Sequence, residues 1–195
     1  MNLKINICTM NSIHIRALLP EHWPAVKSIY EQGIATGDAT FQTVAPDWDE
    51  WDRSHLGHSR LVALDSATGG TAQGVPPGGA AEGIPPGGAV MGWVALTPVS
   101  GRCVYAGVAE ISVYIDPRYR GMGVGTALMQ AVISDSEANG IWTLQAGIFP
   151  ENTASIRLHE NVGFRRVGFR ERIGKMDGRW RDTIFFEKRS EKAGV

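Results

Sequence analysis

The segment VAEISVYIDPRYRGMGVGTALMQAV, residues 108–132, restricts the fold more than any other part of the chain. An apolar run up to Ile115 reads as a strand and Asp116-Pro117 ends it. Gly121, Gly123 and Gly125 then follow at alternate positions, directly before a helical apolar pattern. Bare backbone leading into a helix leaves N–H groups uncovered at the helix start, which favours a bound anion. The loop is not of the nucleotide-binding GxxxxGK[ST] type, because no Gly-Lys-Ser/Thr follows. It is a poor dinucleotide fingerprint too, since the glycine spacing is wrong and no ribose-binding acid stands about 20 residues on.

The rest of the chain supplies elements around that junction. Ile13–Leu18 alternates as a strand, and a helix is expected from Pro20-Glu21 onward, with Trp23, Val26, Ile29, Tyr30 and Ile34 at helical spacing. A turn-rich stretch precedes a second short helix in DWDEWDRSHL. Strands are expected over Arg60–Ser66, Ala89–Pro98 and Val104–Ile115. A helix from Gly121 to about Asn139, capped by Gly140, leads to the strand WTLQAGIF and a short helix from near Asn152 to Gly163. Two strands joined at Asp177-Gly178 close the chain. This β-α-α-β-β-β-α-β-α-β-β order predicts an α/β (α+β) domain over 13–189, a mixed sheet with helices on both faces.

Two segments fall outside that pattern. Residues 1–12 read as a flexible extension, with Met10 an alternative start. AQGVPPGGA (72–80) is repeated as AEGIPPGGA (81–89), and Pro-Pro with Gly-Gly rules out helix and ladder, so 67–89 is expected as a surface loop. Residues 190–195 read as a tail.

Nineteen basic against 20 acidic residues give no bulk charge that would suggest a nucleic-acid or membrane-surface partner. The run RRVGFRER, Arg165–Arg172, is expected as a strand with one solvated face. Cys8 and Cys103 form neither a metal spacing nor a disulfide framework, which points to a reducing, cytoplasmic setting, and no metal cluster is expected. No apolar run approaches the roughly 18 residues of a membrane span.

Among chemical groups, Glu110 is notable as an acid flanked by GVA and ISVYI. Burial among those neighbours would hold back its ionisation and suit it to proton transfer. Asn152, before a short helix, reads as an N-cap.

Three segments, AEISVYIDPRYRGMGVGTAL, WTLQAGIFPENTASIRLHENVGF and RERIGKMDGRWRDT, together resemble the GNAT acetyltransferases. More narrowly, the chain resembles their phosphinothricin and methionine sulfone/sulfoximine N-acetyltransferases. That resemblance implies a sheet splayed at an acetyl-CoA site, a small-molecule amine as acceptor, and a homodimer. It implies that the glycine loop (Arg120, Gly121, Met122, Gly123, Val124, Gly125, Thr126) holds the CoA pyrophosphate. The pantetheine would run along the main chain of Val113, Tyr114 and Ile115, with Asn152 and Ser155 as further cofactor contacts.

Glu110 becomes the implied base beside the acceptor amine. His159 stands where many relatives have a tyrosine that protonates the departing thiolate, a departure that leaves His159 or water for that step. The substrate segments map to Ser100, Gly101 and Arg102 and to Glu110, Ile111 and Ser112, with Thr40 and Phe41 as pocket wall. Arg102 is a candidate clamp for a carboxylate or phosphinate. Trp93, Trp180 and Arg181 are candidate pocket or dimer residues, with core packing the ordinary role of aromatics at strand positions. Protein N-termini, lysine or aminoglycosides are alternative acceptors, and a non-catalytic acyl-CoA-binding regulatory module is the reading outside enzymes. The sequence shows no acid-rich segment of the kind a polycationic acceptor would favour.

Overall fold

Residues 13–65 and 88–195 are described by the computed structural model. The expected extension (1–12) and residues 67–87 of the repeat loop lie outside them. Within the described residues the elements follow the order read from the sequence. They are β1 (Ile13–Ala17), α1 (Trp23–Ile34), α2 (Trp48–Ser54), β2 (Leu61–Asp65), β3 (Ala89–Pro98), β4 (Val108–Ile115), α3 (Val124–Ala138), β5 (Thr143–Ile148), α4 (Thr153–Asn161), β6 (Arg165–Met176) and β7 (Arg179–Arg189).

Some boundaries differ from expectation, each for a local reason. Helix α1 starts at Trp23 because Pro20–His22 form a 3-10 turn. Strand β4 starts at Val108 because Cys103–Tyr105 form another. Helix α3 starts at Val124, because Gly121 and Gly123 have φ of 75° and 83°, left-handed values that a right-handed helix cannot contain.

The seven strands form one sheet in the order β1-β2-β3-β4-β5-β7-β6. Every neighbouring pair is antiparallel except β4 and β5, which run parallel. Strand β3, third in that order, is an interior strand buried on both faces, which explains its continuous apolar run. Val90, Trp93 and Ala95 face α1 and α2, packing with Trp23, Val26, Ile29, Tyr30 and Trp51. Met91, Val94 and Leu96 face α3, packing with Val124, Leu128, Met129 and Val132. Trp93, a candidate pocket residue by sequence, is therefore core, stacked on Tyr114 with ring centroids 4.8 Å apart.

The C-terminal hairpin departs most from expectation. Strand β6 is the sheet's edge and is exposed along nearly its whole length on both faces, not on one. Its ladder with β7 slips between Arg170 and Gly174. There Arg172 adopts φ 49° and donates its N–H to the Asp182 carboxylate at 2.7 Å. The turn falls at Asp177-Gly178 as expected, both with positive φ. Residues 190–195, expected as a tail, fold back: the Arg189 guanidinium donates to the carbonyls of Trp142, Ser190, Ala193 and Gly194.

Candidate active site

The sheet opens between its two parallel strands. The β4–β5 ladder holds only at Val108–Thr143, Ala109–Leu144 and Glu110–Gln145, yet β4 continues to Ile115 and β5 to Ile148. The two strands part there, and a cavity of about 910 Å³ fills the gap, reaching from the glycine loop to the segment between α1 and α2. Because β3 pairs with β4 up to Ile115 on the other side, Ile111–Ile115 present one unpaired edge to this cavity.

At one end lies the glycine loop. Strand β4 is closed off by Asp116, whose backbone N–H donates to Met91 O at 3.0 Å. Its buried carboxylate accepts from the Arg118 backbone N–H at 2.9 Å and from the Arg118 guanidinium at 2.6 Å. The hydrogen bond from Arg118 holds the Asp116 carboxyl below its usual range, against the opposing effect of burial. Gly123, the N-cap residue of α3, brings no capping side chain, so first-turn N–H groups of the helix face the cavity uncapped. A Cβ on Gly125 would meet Leu158 at 3.1 Å, which brings α3 close to α4. Arg120, Gly121, Gly123, Val124, Gly125 and Thr126 all line the cavity, while Met122 points outward and does not. A loop with positive φ, a cation and uncapped helix N–H groups fits a pyrophosphate.

The middle of the cavity is β4 itself. Alternation sends Ala109, Ile111, Val113 and Ile115 toward the α3 core and leaves Glu110, Ser112 and Tyr114 on the opposite face. Glu110 is exposed in the cavity mouth, not buried among its sequence neighbours as expected, and its carboxylate accepts from Gln145 Nε2 at 3.4 Å. Tyr114 lies under the α1–α2 segment, with its hydroxyl near those of Tyr30 and Thr40, and burial pushes its phenol far above the usual range. A Cβ on Gly33 would strike the Tyr114 ring at 2.6 Å, so glycine in α1 makes room for it.

Helix α4 closes another wall. Asn152 is its N-cap, as expected: Oδ1 accepts from the Ser155 N–H at 3.0 Å. Its Nδ2 also donates to Asp38 O at 3.2 Å, so the side chain is engaged twice before any ligand contact. His159 is buried, edge-on to Phe164, and its Nδ1 lies 2.8 Å from Ser155 O. That carbonyl can only accept, so Nδ1 carries the proton and Nε2, which has no partner among the described residues, is a lone pair. Burial lowers the His159 pKa, holding the ring neutral at pH 7. A neutral ring with this tautomer has no proton on Nε2 to give.

Ser100, Gly101 and Arg102 lie outside the cavity lining. Arg102 is exposed, with its guanidinium over the Tyr105 ring, and the 3-10 turn that follows carries this loop onto the surface. Thr40 and Phe41 do line the cavity, together with Asp38, Gln42 and Glu151, which sequence reasoning passed over. Asp38, Glu110 and Glu151 thus give the cavity an acidic wall assembled from three separate segments, with no run of acids to announce it.

The Acetyltransferase (GNAT) family model matches residues 44–164, more than half of the chain. The chain belongs to the GNAT acetyltransferase family. An N-acetyltransferase of Streptomyces griseus is 36% identical over 180 residues, 89% of this chain and 84% of that protein. A phosphinothricin N-acetyltransferase of Alcaligenes faecalis is 30% identical over 175 residues, 89% of this chain and 81% of that one. Among solved structures, a GNAT superfamily phosphinothricin acetyltransferase from Sinorhizobium meliloti in complex with acetyl-CoA superposes with a TM-score of 0.75 at 25% identity, covering 93% of this chain and 90% of that one. Membership of that family makes this chain an acetyl-CoA-dependent acetyltransferase. Among the described residues no group of three or more His, Cys, Asp or Glu could hold a metal ion, and no helix is long and apolar enough to cross a membrane.

Proposed function

We propose that this GNAT enzyme acetylates the α-amine of a small amino-acid-like acceptor of the phosphinothricin or methionine sulfoximine/sulfone type. The observation that carries the reading is Glu110 at the fork of β4 and β5, between the glycine loop and the α1–α2 segment. Acetyl-CoA supplies an activated acetyl group as a thioester. Main-chain N–H groups on the unpaired β4 edge suit hydrogen bonding to the pantetheine and polarisation of the thioester oxygen.

The α-amine of a free amino acid is mostly protonated at neutral pH, and only its neutral form attacks. Glu110, within 3.4 Å of Gln145 Nε2 and facing the cavity, is the group to take up that proton, directly or through water. The amine nitrogen then forms the amide bond as the C–S bond breaks, and it gives up its second proton to water. Protonation of the thiolate falls to water in this reading, because His159 is neutral and bonded through Nδ1. The named relatives that act on phosphinothricin support the acceptor class.

The acidic wall favours a second acceptor, a cationic amine such as lysine or a protein N-terminus. Asp38 and Glu151 are both paired with Arg181, however, which leaves Glu110 as the wall's acid with no cation paired to it among the described residues and keeps the small amino acid ahead. The enzyme is proposed to work in the cytoplasm, where the exposed Cys103 thiol would stay reduced. It is also proposed to pair with a second copy, a reading supported by exposed Val167, Phe169, Ile173 and Trp180 on the β6–β7 hairpin.

The test is CoA release from acetyl-CoA with phosphinothricin, methionine sulfoximine, methionine sulfone, the ordinary amino acids, lysine peptides and N-terminal peptides. Saturable turnover on one of the first group supports the proposal. Turnover confined to peptides transfers the assignment to the cationic acceptor, and acetyl-CoA binding without turnover would move it to a regulatory module.

A further inference from the structure

The segment between α1 and α2 forms the acceptor end of the cavity, yet it is held from β7, beyond the fork of β4 and β5. Arg181, on β7, reaches across to it. Its Nη1 donates to Gly37 O and its Nη2 to Asp38 Oδ1, both at 2.9 Å, and Nη2 also lies 3.3 Å from Glu151 Oε2. The guanidinium sits 4.1 Å from the Phe149 ring centroid, and its side chain is only 16% exposed. Phe149 meets Phe41 edge-to-face at 4.7 Å. Phe41 in turn lies over Gly174, where a Cβ would come within 2.6 Å of its ring. The bulge at Arg172, held by Asp182, brings Gly174 to that place in the ladder.

These contacts form one structure. An arginine fork binds the segment's backbone and carboxylate, an aromatic pair fills the space beneath, and a glycine on the neighbouring strand admits the ring. We infer that Arg181 is a positioning residue for the acceptor, clasping residues 37–41 so that Thr40 and Phe41 stand opposite Glu110. The inference rests on reading the cavity as an acyl-transfer site. Arg181 touches neither acceptor nor cofactor in this account, and both its carboxylate partners lie on the cavity wall. It therefore sets acceptor geometry while leaving the glycine loop, which follows the end of β4, untouched.

The experiment compares wild type, Arg181→Gln and Arg181→Lys in the full chain by two readouts. The first is amide hydrogen exchange across residues 36–46, which needs no acceptor. Arg181→Gln is expected to speed exchange there by about tenfold while β3 and α3 keep wild-type rates. The second is steady-state kinetics with whichever amine the wild type turns over. Acceptor KM is expected to rise about tenfold, with kcat and acetyl-CoA KM held within about threefold. Arg181→Lys keeps the charge without the planar fork and should fall between the two, and it serves as the folded variant if glutamine destabilises the chain.

Unchanged exchange in a folded variant overturns the inference, as does an acceptor KM and an acetyl-CoA KM that move together. If the wild type acetylates none of the amines, the proposed acceptor class has failed, and the exchange readout still decides the clasp.

Discussion

At the scale of single residues, His159 separates packing from chemistry. Its ring is buried, neutral and bonded through Nδ1 to the backbone, so replacing it by phenylalanine should keep the aromatic packing and leave kcat within about tenfold of wild type. A general acid would instead show a loss of about a hundredfold or more, with an altered basic limb in the pH–rate profile. Glu110 makes the complementary case. The chemistry of an acid on this strand was legible, but its burial was misread, because neighbours in sequence are not neighbours in space on a strand. The alternation of Ala109, Ile111, Val113 and Ile115 against Glu110, Ser112 and Tyr114 already assigns the acid to the polar face. Asp38 and Glu151 were not legible as wall residues, since the fold alone brings them together from segments over 100 positions apart.

At the scale of elements, the sequence announced the order of strands and helices because glycine, proline and the 2-versus-3.6 periodicity punctuate it sharply. It was least informative at 3-10 turns, whose residues carry on the apolar pattern of the element they precede, as at Pro20–His22 and Cys103–Tyr105. The loop–helix junction gives a direct prediction. Gly123 caps α3 at φ 83°, with open space where a Cβ would stand, so alanine there meets backbone strain and no clash. Gly123→Ala is expected to cost about 1–2 kcal/mol of local strain. If the loop relaxes away from its anion-binding shape, acetyl-CoA KM should rise about tenfold with the acceptor KM unchanged. Equal effects on both substrates would detach the glycine loop from the cofactor.

At the scale of the whole molecule, histidine burial sets a pH window. His22, His55 and His159 all have pKa values lowered by desolvation, His55 to about 4. The unfolded chain takes up these protons first, near its ordinary value of 6.5, so the stability they contribute is full above 6.5 and is lost as pH falls toward 4. The melting temperature is expected to drop by roughly 5 °C or more between pH 7 and pH 5, and a flat profile would contradict the burial of these rings. The exposed β6–β7 hairpin sets a second expectation at this scale, a sedimentation mass of twice 21.1 kDa that returns to 21.1 kDa when Phe169 and Trp180 are both made glutamate. The central claim is that the fork of β4 and β5 brings a base to the acceptor amine, and the measurement that reaches it most directly is the pH–rate profile of Glu110→Gln beside wild type. A fall in kcat/KM for the acceptor of about a hundredfold or more at neutral pH, partly recovered at alkaline pH where the amine is already neutral and with acetyl-CoA still bound at wild-type affinity, is the result predicted. Wild-type turnover by the variant across the same range would contradict it.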